Sequence, residues 1–137
     1  MAWREMFEYA KENPRISNAT DATPHIASKI MNKRQECFVV VTLDGAHQVI
    51  KTHLITKGLV NRTLVHPREV YWHAIKDNAA GIIIGHNHPS GSLIPSQEDR
   101  QVTETIKKVG EIIGIMLLDH VIVSKSGYYS FMEENAL

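Results

Sequence analysis

The stretch Cys37-Phe38-Val39-Val40-Val41-Thr42-Leu43 constrains the fold of this chain most. It is rich in β-branched and aromatic residues and almost continuously apolar. A strand with one wet face alternates polar and apolar residues, so Glu36–Leu43 reads as a strand buried on both faces. Such a strand needs packing layers above and below its sheet. Gly81-Ile82-Ile83-Ile84-Gly85 repeats the pattern in a shorter, fully buried form. Asp44-Gly45 marks a hairpin into a second strand over Ala46–Ile55. Lys57-Gly58 ends that strand, and Val60–Val65 reads as a short third one. Ile115–Val123 and Tyr128–Met132 are further strands, joined by a turn at Lys125-Ser126-Gly127.

Helical periods fill the intervals. Trp3–Glu12 is a short amphipathic helix, stopped at Asn13-Pro14 because the residue before proline avoids the helical region. Ser17–Thr23 is polar and reads as loop. Thr23-Pro24 reads as a cap and first turn, with Ile26, Ala27, Ile30 and Met31 as the apolar face. His66-Pro67 opens a helix to about Asp77, with Val70, Ala74 and Ile75 inward. Gln97–Ile113 carries Val102, Ile106, Val109 and Ile113 on one face. Between the Gly81–Gly85 strand and that helix lies an irregular stretch, His86–Ser96. Strands flanking helices in this order predict an α/β or α+β fold, with one mixed sheet between helices.

Composition narrows the function. A chain of 137 residues suits one domain. Fifteen basic and fifteen acidic side chains give a formal net charge of zero. That balance does not support a nucleic-acid partner, whose phosphates need a basic face. The single cysteine, Cys37, excludes an internal disulfide and suits a reducing compartment. The longest apolar runs fall far short of the ~18 residues of a membrane-spanning helix. The start lacks the apolar stretch of a signal peptide, so a cytoplasmic protein is expected. The eight histidines are the one oddity. Histidine is the commonest metal ligand and a frequent acid–base group, so their positions matter.

Two of them leave the end of a buried strand as His86-Asn87-His88. On an extended chain, residues i and i+2 point to one side, about 6.5–7 Å apart at Cα. Both imidazoles can then reach one ion at the ~2.0–2.1 Å of a zinc–nitrogen bond. Ser96 opens the next helix, and Asp99 shares a face of its first turn. A carboxylate at a helix N-terminus is favoured as the anion, which suits a ligand. Two histidines, one aspartate and a water make a tetrahedral site of the catalytic kind, with one open position. Water at such a site ionises near neutral pH and can attack a carbonyl. Ser96 could donate its hydroxyl to the developing oxyanion. The proton carrier should be a carboxylate beside the metal, and the order of residues leaves Glu36, Glu69, Glu98 and Asp119 as candidates.

The pattern His86-x-His88-Pro89-x6-Ser96-x2-Asp99 resembles the signature of the JAMM/MPN+ (JAB) metalloproteases. In that family an upstream glutamate opens a strand, and Glu36 matches it. The chain resembles the RadC-like branch in particular, known by a DNA-repair name. The matching stretches are Gln35-Glu36-Cys37-Phe38, Leu43-Asp44, His66-Pro67-Arg68-Glu69-Val70, His86-Asn87-His88-Pro89-Ser90-Gly91, Pro95-Ser96-x-x-Asp99, Leu118-Asp119-His120-Val121-Ile122 and Ser130-Phe131. They cover residues 35–132. The resemblance implies a curved mixed sheet flanked by helices, similar to zinc-dependent cytidine deaminases. It implies one zinc ion per chain, bound by His86, His88 and Asp99. Glu36 would then be the general acid/base, and Ser96 would stabilise the tetrahedral intermediate. The implied activity is hydrolysis of a peptide or isopeptide amide in a protein or peptide substrate. Residues 1–34 are expected to form a short helical extension, and residues 35–137 the RadC-like JAB catalytic domain. That extension is too short for the helix-hairpin-helix region of longer RadC-like proteins. A homo-oligomer is left open.

Each residue also has a plainer reading. Ser96-x-x-Asp99 before an apolar run is a capping-box pattern, which is compatible with a catalytic role. Cys37 should face away from Glu36 as a small buried hydrophobe, and a cysteine-protease reading would need a paired histidine that the sequence does not place. His120, beside Asp119 in an apolar strand, is either a core histidine or a support for a ligand, as Asp119 could be. His66 ends a loop. His25, His47, His53 and His73 are expected on solvated faces, and Lys29, Lys33 and Arg34 on a wet helix face. The string His-Asn-His does not indicate an HNH nuclease, whose namesake residues are spread along a different fold. Two rival functions follow. One is a DNA-repair accessory protein whose zinc fold is a scaffold. The other is a deaminase or nuclease; the deaminase form lacks its cysteine ligands here.

Overall fold

The run Cys37–Leu43 is buried at every position, and so is Gly81–Asn87. The two lie side by side at the centre of a sheet. The computed structural model describes residues 3–30, 33–57 and 65–137. Its elements are α1 (Trp3–Glu12), α2 (Ala19–Ile30), β1 (Cys37–Leu43), β2 (Val49–Lys57), α3 (Pro67–Lys76), β3 (Gly81–Asn87), α4 (Gln97–Ile113), β4 (Met116–Ser124) and β5 (Gly127–Ser130). The sheet order is β2-β1-β3-β4-β5. β3 and β4 run parallel, joined through α4, and the other pairs are antiparallel. The expected mixed sheet flanked by helices is therefore what forms. Residues 60–64 of the expected third strand, and Met31, lie outside the described residues.

Each sheet face carries its own core. On one face Ile26 and Ile30 of α2 pack on Val39, Val41, Ile83, Val121 and Val123. On the other, Val70, Tyr71 and Ala74 of α3 and Ile106 of α4 pack on Val40, Ile82, Ile84 and Leu117. This sandwich explains why β1 and β3 show no polar alternation. α2 comes so close that Ile26 occupies the space a side chain at Gly85 would need; an added Cβ would lie 2.7 Å from Ile26.

Several local expectations need correction. α2 begins at Ala19, not at Thr23-Pro24. Asn18 Oδ1 accepts from the Asp21 amide at 2.9 Å, and Asp21 Oδ2 accepts from the Ser17 amide at 2.9 Å. That reciprocal cap starts the helix earlier, and Pro24 sits within it. The amide that proline lacks would serve the carbonyl of Thr20, an exposed residue. On α3 the inward stripe is Val70, Tyr71 and Ala74, while Ile75 is 63% exposed. On α4 Ile113 is half-exposed, and the buried positions include Thr103 and Gly110, small residues that let the helix close on β4. His25 is buried, not solvated, and its Nε2 bonds the Asn13 carbonyl at 2.8 Å. His53 pairs with Asp77 at 2.6 Å and stacks on His73. No helix among the described residues is long and apolar enough to cross a membrane.

Candidate metal centre

The site forms where β3 ends and α4 begins. β3 continues two residues beyond the expected Gly85, so His86 is still in the sheet, and His88 follows the strand directly. Their shared side is kept: the two Nε2 atoms lie 3.0 Å apart. α4 starts with Ser96 as its cap, and the capping box is complete. Ser96 Oγ accepts from the Asp99 amide at 3.0 Å, and the Ser96 amide donates to Asp99 Oδ2 at 2.8 Å. The cap thereby aims the Asp99 carboxylate back at the strand end. Asp99 Oδ1 lies 3.0 Å from His86 Nε2, and Oδ2 lies 3.2 Å from His88 Nε2.

Three ligand-type atoms thus converge on one point, and His86, His88 and Asp99 could hold a metal ion. Tetrahedral ligands with bonds of ~2.0–2.1 Å are about 3.3 Å apart, close to the separations here. Burial alone would raise the Asp99 carboxyl. The hydrogen bonds from His86 and His88 outweigh burial and hold it far below the usual carboxylate range. The Asp99 hydrogen bond raises His88 above the usual histidine value, against the effect of burial. The pocket therefore strongly favours positive charge beside the carboxylate.

The sheet register brings Glu36 to the same place. Phe38 pairs with His86 at the end of the β1–β3 ladder, and continuing that register by two residues sets Glu36 against His88. Cys37 points into the core with Val39, opposite Phe38 and Val40, and continued alternation puts Glu36 on the Phe38 side. Its carboxylate is near enough to contribute to raising His88. Phe38 stacks on the His86 ring, with centroids 6.0 Å apart. All three glutamate candidates are exposed; Glu69 and Glu98 lie on the first turns of α3 and α4, and only Glu36 of the three is among the groups that raise His88.

His120 supports His86. His86 Nδ1 lies 2.8 Å from His120 Nε2, and His120 Nδ1 lies 2.6 Å from Thr103 Oγ1. Thr103 Oγ1 donates to the Asp99 carbonyl at 2.7 Å. That carbonyl can only accept, which gives the chain a direction. Thr103 accepts from His120 Nδ1–H, and His120 Nε2 accepts from His86 Nδ1–H. With Nδ1 committed to His120, Nε2 is the ring nitrogen that His86 can offer a metal in place of the proton it shares with Asp99. Complete burial keeps His120 well below the usual histidine value, hence neutral, as this arrangement requires.

Asp119 is not part of this group, contrary to the expectation that it could support a ligand. Its carboxylate accepts from the His120 and Met132 amides and from Ser130 Oγ, tying the C-terminal turn to β4. A register shift explains the split. β3 and β4 slip by one residue at Ile82/Ile83, so Leu118 is unpaired. The bulge reverses the alternation of β4, turning Asp119 to the α2 side and His120 to the His86 side.

One further residue escapes any reading of spacing. Asn87, between the two histidines, points to the opposite face and is buried. Its Oδ1 accepts from the Cys37 amide at 2.6 Å, and its Nδ2 donates to the Gln35 carbonyl at 3.0 Å. The amide thus clasps the backbone on both sides of Glu36.

Comparison with known proteins identifies the family. The model of the RadC-like JAB domain family matches residues 16–136. A UPF0758 protein of Thermotoga maritima is 43% identical over 130 residues, covering 93% of this chain and 59% of its own. One from Pelodictyon phaeoclathratiforme is 42% identical over 125 residues, covering 91% and 56%. One from Streptococcus sanguinis is 48% identical over 101 residues, covering 74% and 44%. The chain spans about half the length of the curated relatives it matches. With a family match over most of its length and the His86–His88–Asp99 cluster at the expected strand end, the chain belongs to the RadC-like JAB domain family.

Proposed function

We propose that this domain is a zinc-dependent hydrolase that cleaves a peptide or isopeptide amide bond. The observation that carries the reading is the convergence of His86 Nε2, His88 Nε2 and the Asp99 carboxylate within 3.0–3.2 Å, with the Glu36 carboxylate near enough to act on His88. Two nitrogens and one carboxylate suit zinc, and three protein ligands leave a position open. When bound, zinc supplies Lewis acidity and a water acidic enough to ionise near neutral pH. Glu36 takes the proton from the attacking water and returns it to the departing amine. Ser96 Oγ accepts from the Asp99 amide and keeps its own proton to donate to the oxyanion. His120 and Thr103 hold His86 with Nε2 as the nitrogen it can offer a metal.

The test pairs metal analysis with hydrolysis. The purified protein should hold about one zinc per chain, and His88→Ala should lose it. A mixture of random peptides and lysine isopeptides, followed by mass spectrometry, should be cleaved by the zinc-loaded protein. Cleavage should stop after chelation and return with added zinc. Peptide cleavage that persists without metal would overturn the mechanism.

His120→Phe provides a narrower check. Phenylalanine fills a similar volume beside Phe131, which already stacks on His120. It cannot accept from His86 Nδ1–H. Zinc affinity measured against a competing chelator should fall by about 10–100-fold. An unchanged affinity would mean the His120–Thr103 chain does not orient the ligand.

A further inference from the structure

Beside His88, and away from Asp99, a cleft of about 320 Å³ opens between two connections. One wall is the segment between α2 and β1, bearing Lys33 and Arg34. The other is the β4–β5 turn, bearing Lys125. His88 itself lines the cleft. Both walls are tied down. Asn87 holds Gln35 and Cys37, next to Arg34. Ser124 Oγ and Ser126 Oγ both donate to the Gly91 carbonyl, at 3.1 and 3.0 Å, fixing the turn against the loop after His88.

The charge in this cleft is one-sided. No acidic side chain lines it. Among the described residues, Lys33, Arg34 and Lys125 have no carboxylate within salt-bridge distance. In a chain of zero net charge, three unpaired cations around one small cleft mark a place for an anion. Its volume is at the low end of ligand pockets, ~300–1,000 Å³, and fits a side chain or chain end better than an extended polymer. Nucleic-acid affinity grows with the number of phosphates neutralised along a track, and this cleft offers no track.

The geometry points to a substrate that places a peptide carboxylate in the Lys33–Arg34–Lys125 cleft, one step from the bond presented to His88. This specificity rests on the hydrolase reading of the same site. The carboxylate belongs either to an acidic side chain or to the free end of the substrate chain. A lysine or arginine at that position would meet like charge.

Binding and cleavage are measured separately. For binding, zinc-loaded Glu36→Gln protein is titrated into fluorescein-labelled peptides at low salt. The probes are an amidated glutamate-rich peptide, its amidated glutamine counterpart, the glutamine peptide with a free C-terminus, and a short single-stranded DNA. One or both carboxylate peptides should bind at least about tenfold more tightly than the amidated glutamine peptide. Which of the two does so identifies the source of the carboxylate. Adding K33A, R34A and K125A together should abolish that advantage. Equal binding of the charged and neutral peptides, an advantage that survives the triple substitution, or tighter binding of the DNA would each overturn the assignment. For cleavage, the same peptides are given to the zinc-loaded wild-type protein. Carboxylate-dependent binding without any cleavage keeps the cleft and removes the hydrolase reading. Cleavage that ignores the carboxylate keeps the hydrolase reading and removes the cleft.

Discussion

Zinc should remain in Glu36→Gln while amide hydrolysis falls by about 10²–10⁴-fold, the usual contribution of a positioned acid–base group. Glutamine matches glutamate in shape and keeps a carbonyl oxygen for hydrogen bonding, but it cannot take up a proton near neutral pH. Glu36 contributes no ligand atom to the His86–His88–Asp99 cluster, so the metal has no reason to leave. Substrate binding should survive, and KM should change far less than kcat. Metal content, KM and kcat on one peptide decide the matter. Full activity in Glu36→Gln would transfer the proton-carrying role to another group. Loss of zinc together with activity would make Glu36 a ligand instead.

The legible part of this site shares one property: its residues are neighbours in sequence at the end of one regular element or the start of the next. His86 and His88 are legible because a strand has a period of two. Ser96 and Asp99 are legible because a helix cap has a fixed spacing. The two buried strands are legible because an apolar run with no alternation has few other uses. The fold class followed from the order of these elements.

What escaped depends on pairing between distant segments. Neither spacing nor composition reveals that β3 and β4 slip at Ile82/Ile83, yet this slip decides that His120 and not Asp119 faces His86. Spacing alone leaves Glu36 as one of four carboxylate candidates, and its nearness to His88 becomes legible only from the β1–β3 register or the family resemblance. The helix start at Ala19 turned on a side-chain cap at Asn18 that competed with a conventional Thr-Pro signal. His25, expected on a solvated face, is buried, and its Nε2 bonds the Asn13 carbonyl, twelve residues away. Local rules predict elements well, and tertiary pairing then selects which side chains meet.

Asn87 is the sharpest case, and removing it should cost both stability and catalysis. Within the motif it looks like a spacer between two ligands. In the fold its amide reaches across fifty residues to the Cys37 amide and also to the Gln35 carbonyl, the two peptide groups that flank Glu36. Asn87→Ala would remove both hydrogen bonds, at about 0.5–1.5 kcal/mol each. It would also free the Glu36 backbone from its place near His88. A shift of about 1 Å in a catalytic group can cost on the order of 10²-fold in rate. Asn87→Ala should therefore keep its zinc, unfold at a lower temperature, and lose kcat on that scale with KM little changed when assayed well below its unfolding transition. A purely structural asparagine could mimic the stability loss, so the double variant is decisive. If Asn87 acts by positioning Glu36, Asn87→Ala should slow the wild-type protein but add little to Glu36→Gln, because residues that act as a unit are not additive. Independent, multiplying losses in the double variant would show that the asparagine serves the site by some route other than Glu36.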